Sequence, residues 1–216
     1  MSKHGFARDM VFQAESKSKN HVQFTLSSSE VTRVQYPFHF KLIIDYVLLD
    51  HHLTVTITVK NTDITSMIFS VGAHPAFNCP MDQEPWQLVF DEVEHLESRC
   101  IDLPTGLIEP KHIRNLGMLK NLTLTSDLFK DDALVFEELK SKGVSLEKTD
   151  GTSRLRFEWF GLPFFALWSP SAPFICLEPW LGMADFVNTT GHLNEKYGTQ
   201  SLEPGCQYVC GYKIEI

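Results

Sequence analysis

Two side chains in this 216-residue chain have the type and setting for proton-transfer chemistry. His74 lies in Gly72-Ala73-His74-Pro75-Ala76-Phe77-Asn78, and Glu178 lies in Cys176-Leu177-Glu178-Pro179-Trp180. Each follows an apolar, strand-like run. Brought from different strands into one cleft, they form a general acid/base pair. Opening a cyclic hemiacetal needs little more, since one group must give a proton and another must take one.

His74 follows Ile68-Phe69-Ser70-Val71 and Gly72, and Pro75 then fixes the direction of the backbone. Phe77 and Asn78 add an aromatic face and a hydrogen-bonding amide. A histidine framed in this way is held rigidly, as a catalytic acid must be. The same frame also suits a core or turn histidine satisfied by local carbonyls. Glu178 follows Phe174-Ile175-Cys176-Leu177, a run that reads as buried, and carboxylates are seldom buried unless paired or functional. Beside Trp180 and away from bulk water, its proton affinity rises toward the range of a general base. The competing reading is a strand-end glutamate that faces solvent or holds an arginine.

Other residues are candidates for holding a ligand. His4 and Arg8 stand in His4-Gly5-Phe6-Ala7-Arg8, where Arg8 has the donors for sugar hydroxyls or a phosphate. A frayed terminus is the alternative there. Asp132, in the pair Asp131-Asp132, is a hydroxyl acceptor or one half of a solvated turn. Trp168 and Trp180 are sugar-stacking platforms or core residues, because the apolar face of a pyranose packs on an indole. Asp50-His51-His52 resembles a metal-dependent phosphoesterase triplet but falls in a hairpin turn without companion acidic motifs. The segment from Asp127 to Asp132 lacks the glycine and ligand spacing of a calcium loop. No glycine-rich phosphate loop, nucleophile elbow or metalloprotease helix motif is present.

The elements that must position these residues are strands. Leu53, Val55, Ile57 and Val59 alternate with threonines, and Phe38 to Leu49 precede them across the polar turn Asp50-His51-His52, which predicts a hairpin. Tyr208 to Ile216 alternate in the same way after the turn Glu203-Pro204-Gly205. Further strands are predicted at Val22–Leu26, Ile68–Val71, Trp86–Phe90, Val144–Glu147, Leu155–Phe160, Phe164–Trp168 and Phe174–Leu177. The best helical candidate, Asn115–Lys120, is short. Met81–Lys130 is the least regular stretch and is read as long loops that shape a cleft. The sum is one all-β domain over residues 1–216, an antiparallel sandwich or barrel.

A formal charge of −8 and the lack of a basic stripe argue against nucleic acid as a partner. No apolar stretch is long enough to cross a bilayer, and the N-terminus lacks the apolar run of a signal peptide. Five cysteines without a C-x-x-C motif fit reduced, mostly buried thiols and a cytoplasmic location.

Taken together, Gly72 to Asn78, Cys176-Leu177-Glu178-Pro179-Trp180-Leu181-Gly182-Met183-Ala184-Asp185 and Leu202-Glu203-Pro204-Gly205 closely resemble the aldose 1-epimerase (galactose mutarotase) family. The nearest branch is the bacterial one associated with lactose-utilisation operons, and the similarity runs over essentially the whole chain. The resemblance implies an antiparallel β-supersandwich, a sugar substrate, no metal or cofactor, and a monomer or homodimer. It implies His74 as the acid that protonates the ring oxygen and Glu178 as the base that removes the anomeric proton. His4 matches a substrate-contacting histidine, and Asp132 matches an aspartate that binds ring hydroxyls. In relatives the His-Gly-Phe-Ala-Arg element follows a run of strands carrying a substrate-contacting arginine. Here Met1 stands three residues before His4, so an N-terminally truncated member is expected. The implied reaction interconverts the anomers of a free hexose such as galactose or glucose. The alternatives are a hexose-6-phosphate mutarotase, with Arg8 on the phosphate, and a non-catalytic carbohydrate-binding or regulatory protein on the same scaffold.

Overall fold

The structure, a computed structural model, describes residues 4–170 and 172–216, and Met1, Ser2, Lys3 and Ser171 lie outside it. In chain order the strands are β1 (Gln13–Ser18), β2 (His21–Ser27), β3 (Phe40–Leu49), β4 (His52–Asn61), β5 (Met67–Phe69), β6 (Ala76–Asn78), β7 (Trp86–Asp102) and β8 (Leu107–Leu124). They continue as β9 (Leu134–Phe136), β10 (Gly143–Lys148), β11 (Arg154–Phe160), β12 (Phe164–Trp168), β13 (Phe174–Trp180), β14 (Gln200–Leu202) and β15 (Gln207–Glu215). One large sheet runs β1-β2-β3-β4-β15-β11-β10-β7-β9-β12-β13-β6, with β8 hanging on β7, and β5 pairs with β14 in a small second sheet. All the ladders between named strands are antiparallel. The expected all-β antiparallel fold is what the chain adopts.

The alternation in β4 is the reason it forms where it does. Val55, Ile57 and Val59 are buried while the intervening threonines are half-buried, so one face of the strand lies on the core. Asp50, with φ of 52°, takes the left-handed turn conformation that joins β3 to β4. Behind these strands sits an aromatic core in which Trp159 and Phe165 stack at 4.2 Å and Phe157 stacks on Tyr212 at 5.3 Å.

Two expectations are corrected. Asn115–Lys120 is not helical but lies inside β8, where Leu96 pairs with Gly117 and Glu97 with Asn115. Leu116 is thus an extra residue, and Gly117 at φ of 91° completes the bulge. One inserted residue shifts the phase of the alternation and imitates a helical spacing. Met81–Lys130 is likewise no set of loops, because β7 and β8 form a long hairpin across most of it. Register breaks at Val89/Glu94 and Arg99/Cys100 hide its period-2 pattern. The chain also holds one short helix not foreseen, α1 (Glu30–Gln35), whose Ser29 and Thr32 cap each other reciprocally.

Candidate active site

β13 is buried on both faces, with Ile175 and Leu177 in the main core and Cys176 and Glu178 on the opposite side. That opposite side carries a second, smaller apolar cluster of Ile108, Val135, Phe164, Ala166 and Met183. The stretch after β13 is pinned over it, since Ile108 N–H donates to Asp185 O and Val187 N–H to Ile108 O. Glu178 sits beside this cluster with its side chain 3% exposed. The buried glutamate expected from the sequence is there.

His74 does not end a strand, as its sequence suggested. β5 stops at Phe69, and His74 lies in the connection to β6, which is docked along β13. Gly72 opposes Trp180 and Ala76 opposes Cys176, so His74 falls directly opposite Glu178 in one continuous register. Ala73 N–H donates to Pro179 O at 3.0 Å, and Leu177 N–H to Pro75 O at 3.1 Å. These bonds flank the pair, placing it at a non-hydrogen-bonded position, where facing side chains approach most closely. Both prolines occupy hydrogen-bonded positions at which only their carbonyl takes part, so neither missing N–H disturbs the pair. The outcome is His74 Nδ1 at 3.3 Å from Glu178 Oε1. His74 remains 36% exposed.

Gly72 has a separate reason to be glycine. A Cβ there would lie 2.7 Å from Trp180 Cδ1 and 3.3 Å from Pro179 O. The bare backbone lets the indole close over it, and the Trp180 side chain hydrogen-bonds Glu178, its indole N–H donating to the carboxylate. Trp180 also packs against the second apolar cluster. Half-buried, it stands against the carboxylate and the cluster together.

The electrostatics follow from burial. Glu178 is pushed up to about 8, first by loss of water and then by the charge of Asp132, against the opposing Trp180 hydrogen bond. His74 is lowered from its ordinary 6.5, first by burial and then by the charge of His4, with Arg8 adding to the effect. Both directions leave one proton shared by the pair near neutrality, resting on Glu178. The Cys176 thiol is pushed up to about 12 by burial and by the Glu178 charge.

The other sequence candidates divide as follows. The His4 ring lies 5.0 Å from that of His74, and the Trp168 ring meets His74 edge-on at 6.0 Å. Asp132 lies close enough for its charge to reach Glu178, and takes φ of 77° with its carboxylate accepting from Ala133 N–H. Arg8 reaches His74 through its charge, while its side chain is largely exposed beside Asp9 at 3.5 Å. Asn78 is exposed on β6 at a register position on the same side as His74 and Ala76. Cys176 was missed as a site residue. Its separation of two from Glu178 on a strand was the available signal, because that spacing puts both on one face. His74, Cys176 and Glu178 bring a nitrogen, a sulfur and an oxygen within 4.8 Å of one another.

A buried carboxylate facing a half-exposed imidazole, on an antiparallel sheet of this topology, belongs to the galactose mutarotase-like class of folds. Over residues 1–215 the chain matches the aldose 1-epimerase family, and it belongs to that family. It is 32% identical over 202 residues to the chromosomal LacX protein of Lactococcus lactis subsp. lactis, covering 90% of this chain and 68% of that protein. A galactose mutarotase related enzyme from Lactobacillus acidophilus superposes with a TM-score of 0.90 at 30% identity, covering all of this chain and 74% of that one. A galactose mutarotase-like protein from Lactobacillus casei superposes equally well at 28% identity, covering 76% of that chain. The function is thus of the sugar epimerase or mutarotase kind, within the isomerases, with a small-molecule sugar as ligand. Among the described residues no helix is long and apolar enough to cross a membrane.

Proposed function

We propose that the protein interconverts the α and β anomers of a free hexose such as galactose or glucose, with His74 and Glu178 as its acid and base. The observation that carries this reading is their 3.3 Å separation across a non-hydrogen-bonded strand pair. The ring oxygen and the anomeric hydroxyl are bonded to the same carbon, so the groups that serve them must stand side by side. Transfer of the shared proton to His74 creates an imidazolium–carboxylate pair, which the Trp180 hydrogen bond to Glu178 favours.

Glu178 then takes the proton of the anomeric hydroxyl while His74 gives its proton to the ring oxygen. The C1–O5 bond breaks and a C1 carbonyl forms. Rotation about C1–C2 presents the other carbonyl face, and the reverse transfers close the ring on it. Every proton removed is returned, so the reaction as written balances without a cofactor. His4, Asp132 and Trp168 stand about the pair as hydroxyl partners and a ring platform, and Asn78, four residues from His74 on the same side of its segment, is a hydroxyl partner further out.

Polarimetry on freshly dissolved α-galactose tests this. Accelerated approach to the equilibrium rotation supports the reading, and tight sugar binding without acceleration refutes it in favour of a non-catalytic receptor. Arg8 supplies the one specific argument for a phosphorylated sugar, since its exposed guanidinium lies within electrostatic reach of His74. A strong preference for glucose 6-phosphate over glucose, lost in Arg8→Ala, would replace the free hexose by its phosphate.

A further inference from the structure

We infer that His74 Nδ1, Cys176 Sγ and a Glu178 carboxylate oxygen form a three-ligand site for a thiophilic divalent cation, Zn²⁺ foremost, that shuts off the pair when filled. Cys176 and Glu178 project from one face of β13, and His74 projects from the segment docked beside them. Tetrahedral zinc with bonds of about 2.0–2.3 Å separates its ligand atoms by roughly 3.3–3.8 Å. The His74–Glu178 distance of 3.3 Å already falls in that range, and the sulfur lies within 4.8 Å of both partners. A rotamer adjustment of Cys176 closes the remainder, and Ala76, its cross-strand neighbour, has only a methyl group to stand beside it.

The donor set selects the metal. One nitrogen, one sulfur and one carboxylate oxygen suit zinc and its analogue cobalt, whereas magnesium and calcium call for oxygen alone. The ligands are held from behind, as good sites require, by the Trp180 hydrogen bond to Glu178 and the Trp168 edge against His74. The fourth position is left to solvent on the exposed side of His74. Binding forms zinc–sulfur, zinc–nitrogen and zinc–oxygen bonds, and two protons leave to solvent, the thiol's and the one resting on Glu178. The occupied pair has neither an acid nor a base to offer, so inhibition rests on the function proposed above, while binding does not.

The test uses the whole chain, stripped with a chelator and desalted. Titration with Zn²⁺ against a chromogenic chelator should give one equivalent bound. Co²⁺ should give a near-ultraviolet thiolate charge-transfer band. Cys176→Ser and His74→Asn should each weaken Zn²⁺ at least tenfold, and the first should lose the cobalt band. Cys206→Ser, at an exposed thiol away from the pair, should change neither. If Cys176→Ser fails to fold by circular dichroism, His74→Asn carries the same test from a more exposed position. Binding below stoichiometry, or unaltered by both substitutions, overturns the inference. Stoichiometric zinc in a protein that does not accelerate mutarotation refutes the proposed function and leaves the site standing. Undiminished mutarotation with one equivalent of zinc bound refutes the shut-off of the pair and leaves the function.

Discussion

Gly72→Ala probes the pair from a residue that carries no chemistry. The added Cβ would sit 2.7 Å from Trp180 Cδ1, about 0.7 Å short of the 3.4 Å at which ordinary contact begins. It would also stand 3.3 Å from Pro179 O and 3.4 Å from Trp180 Cα, so retreat of the backbone is blocked and the indole must move. Overpacking of this kind costs about 1–3 kcal/mol in stability. The larger effect is on chemistry, since a displacement near 1 Å in a reacting group costs about a hundredfold in rate. The indole hydrogen bond also lowers the proton affinity of Glu178, so losing it raises that affinity further. The alkaline limb of the pH profile then moves to higher pH. Polarimetric kcat and KM from pH 5 to 10, with a thermal melt on the same sample, read all three effects. Wild-type kcat with an unmoved alkaline limb would refute the link from Gly72 through Trp180 to Glu178.

For metal-free protein, kcat/KM should be bell-shaped in pH, because only the singly protonated pair of the free enzyme can both give and take a proton. The acid limb falls below the ordinary histidine value of 6.5 and the alkaline limb near 8, and a rate still climbing above pH 9 contradicts the assignment. Glu178→Gln and His74→Asn should each lower kcat by about 10²–10⁴-fold with the far-ultraviolet spectrum unchanged, and full activity in either removes its role. Glu178→Gln should also stabilise the fold. The unfolded chain releases this proton near 4.5 and the folded chain near 8, so the native glutamate lowers stability progressively between those values. At pH 7.5 the gain is on the order of 4 kcal/mol, since that pH lies about three tenfold steps above the unfolded value and each step is worth about 1.4 kcal/mol. It should vanish below pH 4.5, and melts showing equal gain at pH 4 and 7.5 would contradict the burial argument.

Much of the fold was legible along the chain. The strict alternation of β4 and β15 and the polar turn at Asp50 reflect a half-buried sheet, whose period of two appears directly in residue type. β8 was not legible, because the Leu116–Gly117 bulge breaks that period inside the strand. The capping box of α1 was written at Ser29 and Thr32, but six residues give too little periodicity to suggest a helix. Trp180 has the side chain of a sugar platform, yet its commitment to Glu178 depends on Gly72 arriving from a remote segment.

The sequence by itself determined which two groups have proton chemistry to offer, and it marked Glu178 as buried through the apolar run before it. It also carried the family resemblance that the whole-chain match bears out. Tertiary structure alone decided that His74 lies opposite Glu178, since their register follows from backbone hydrogen bonds between segments a hundred residues apart. It decided as well that Cys176 joins them. A strand pair brings distant residues together through main-chain bonds that are blind to side-chain identity, so no local pattern could have announced that meeting.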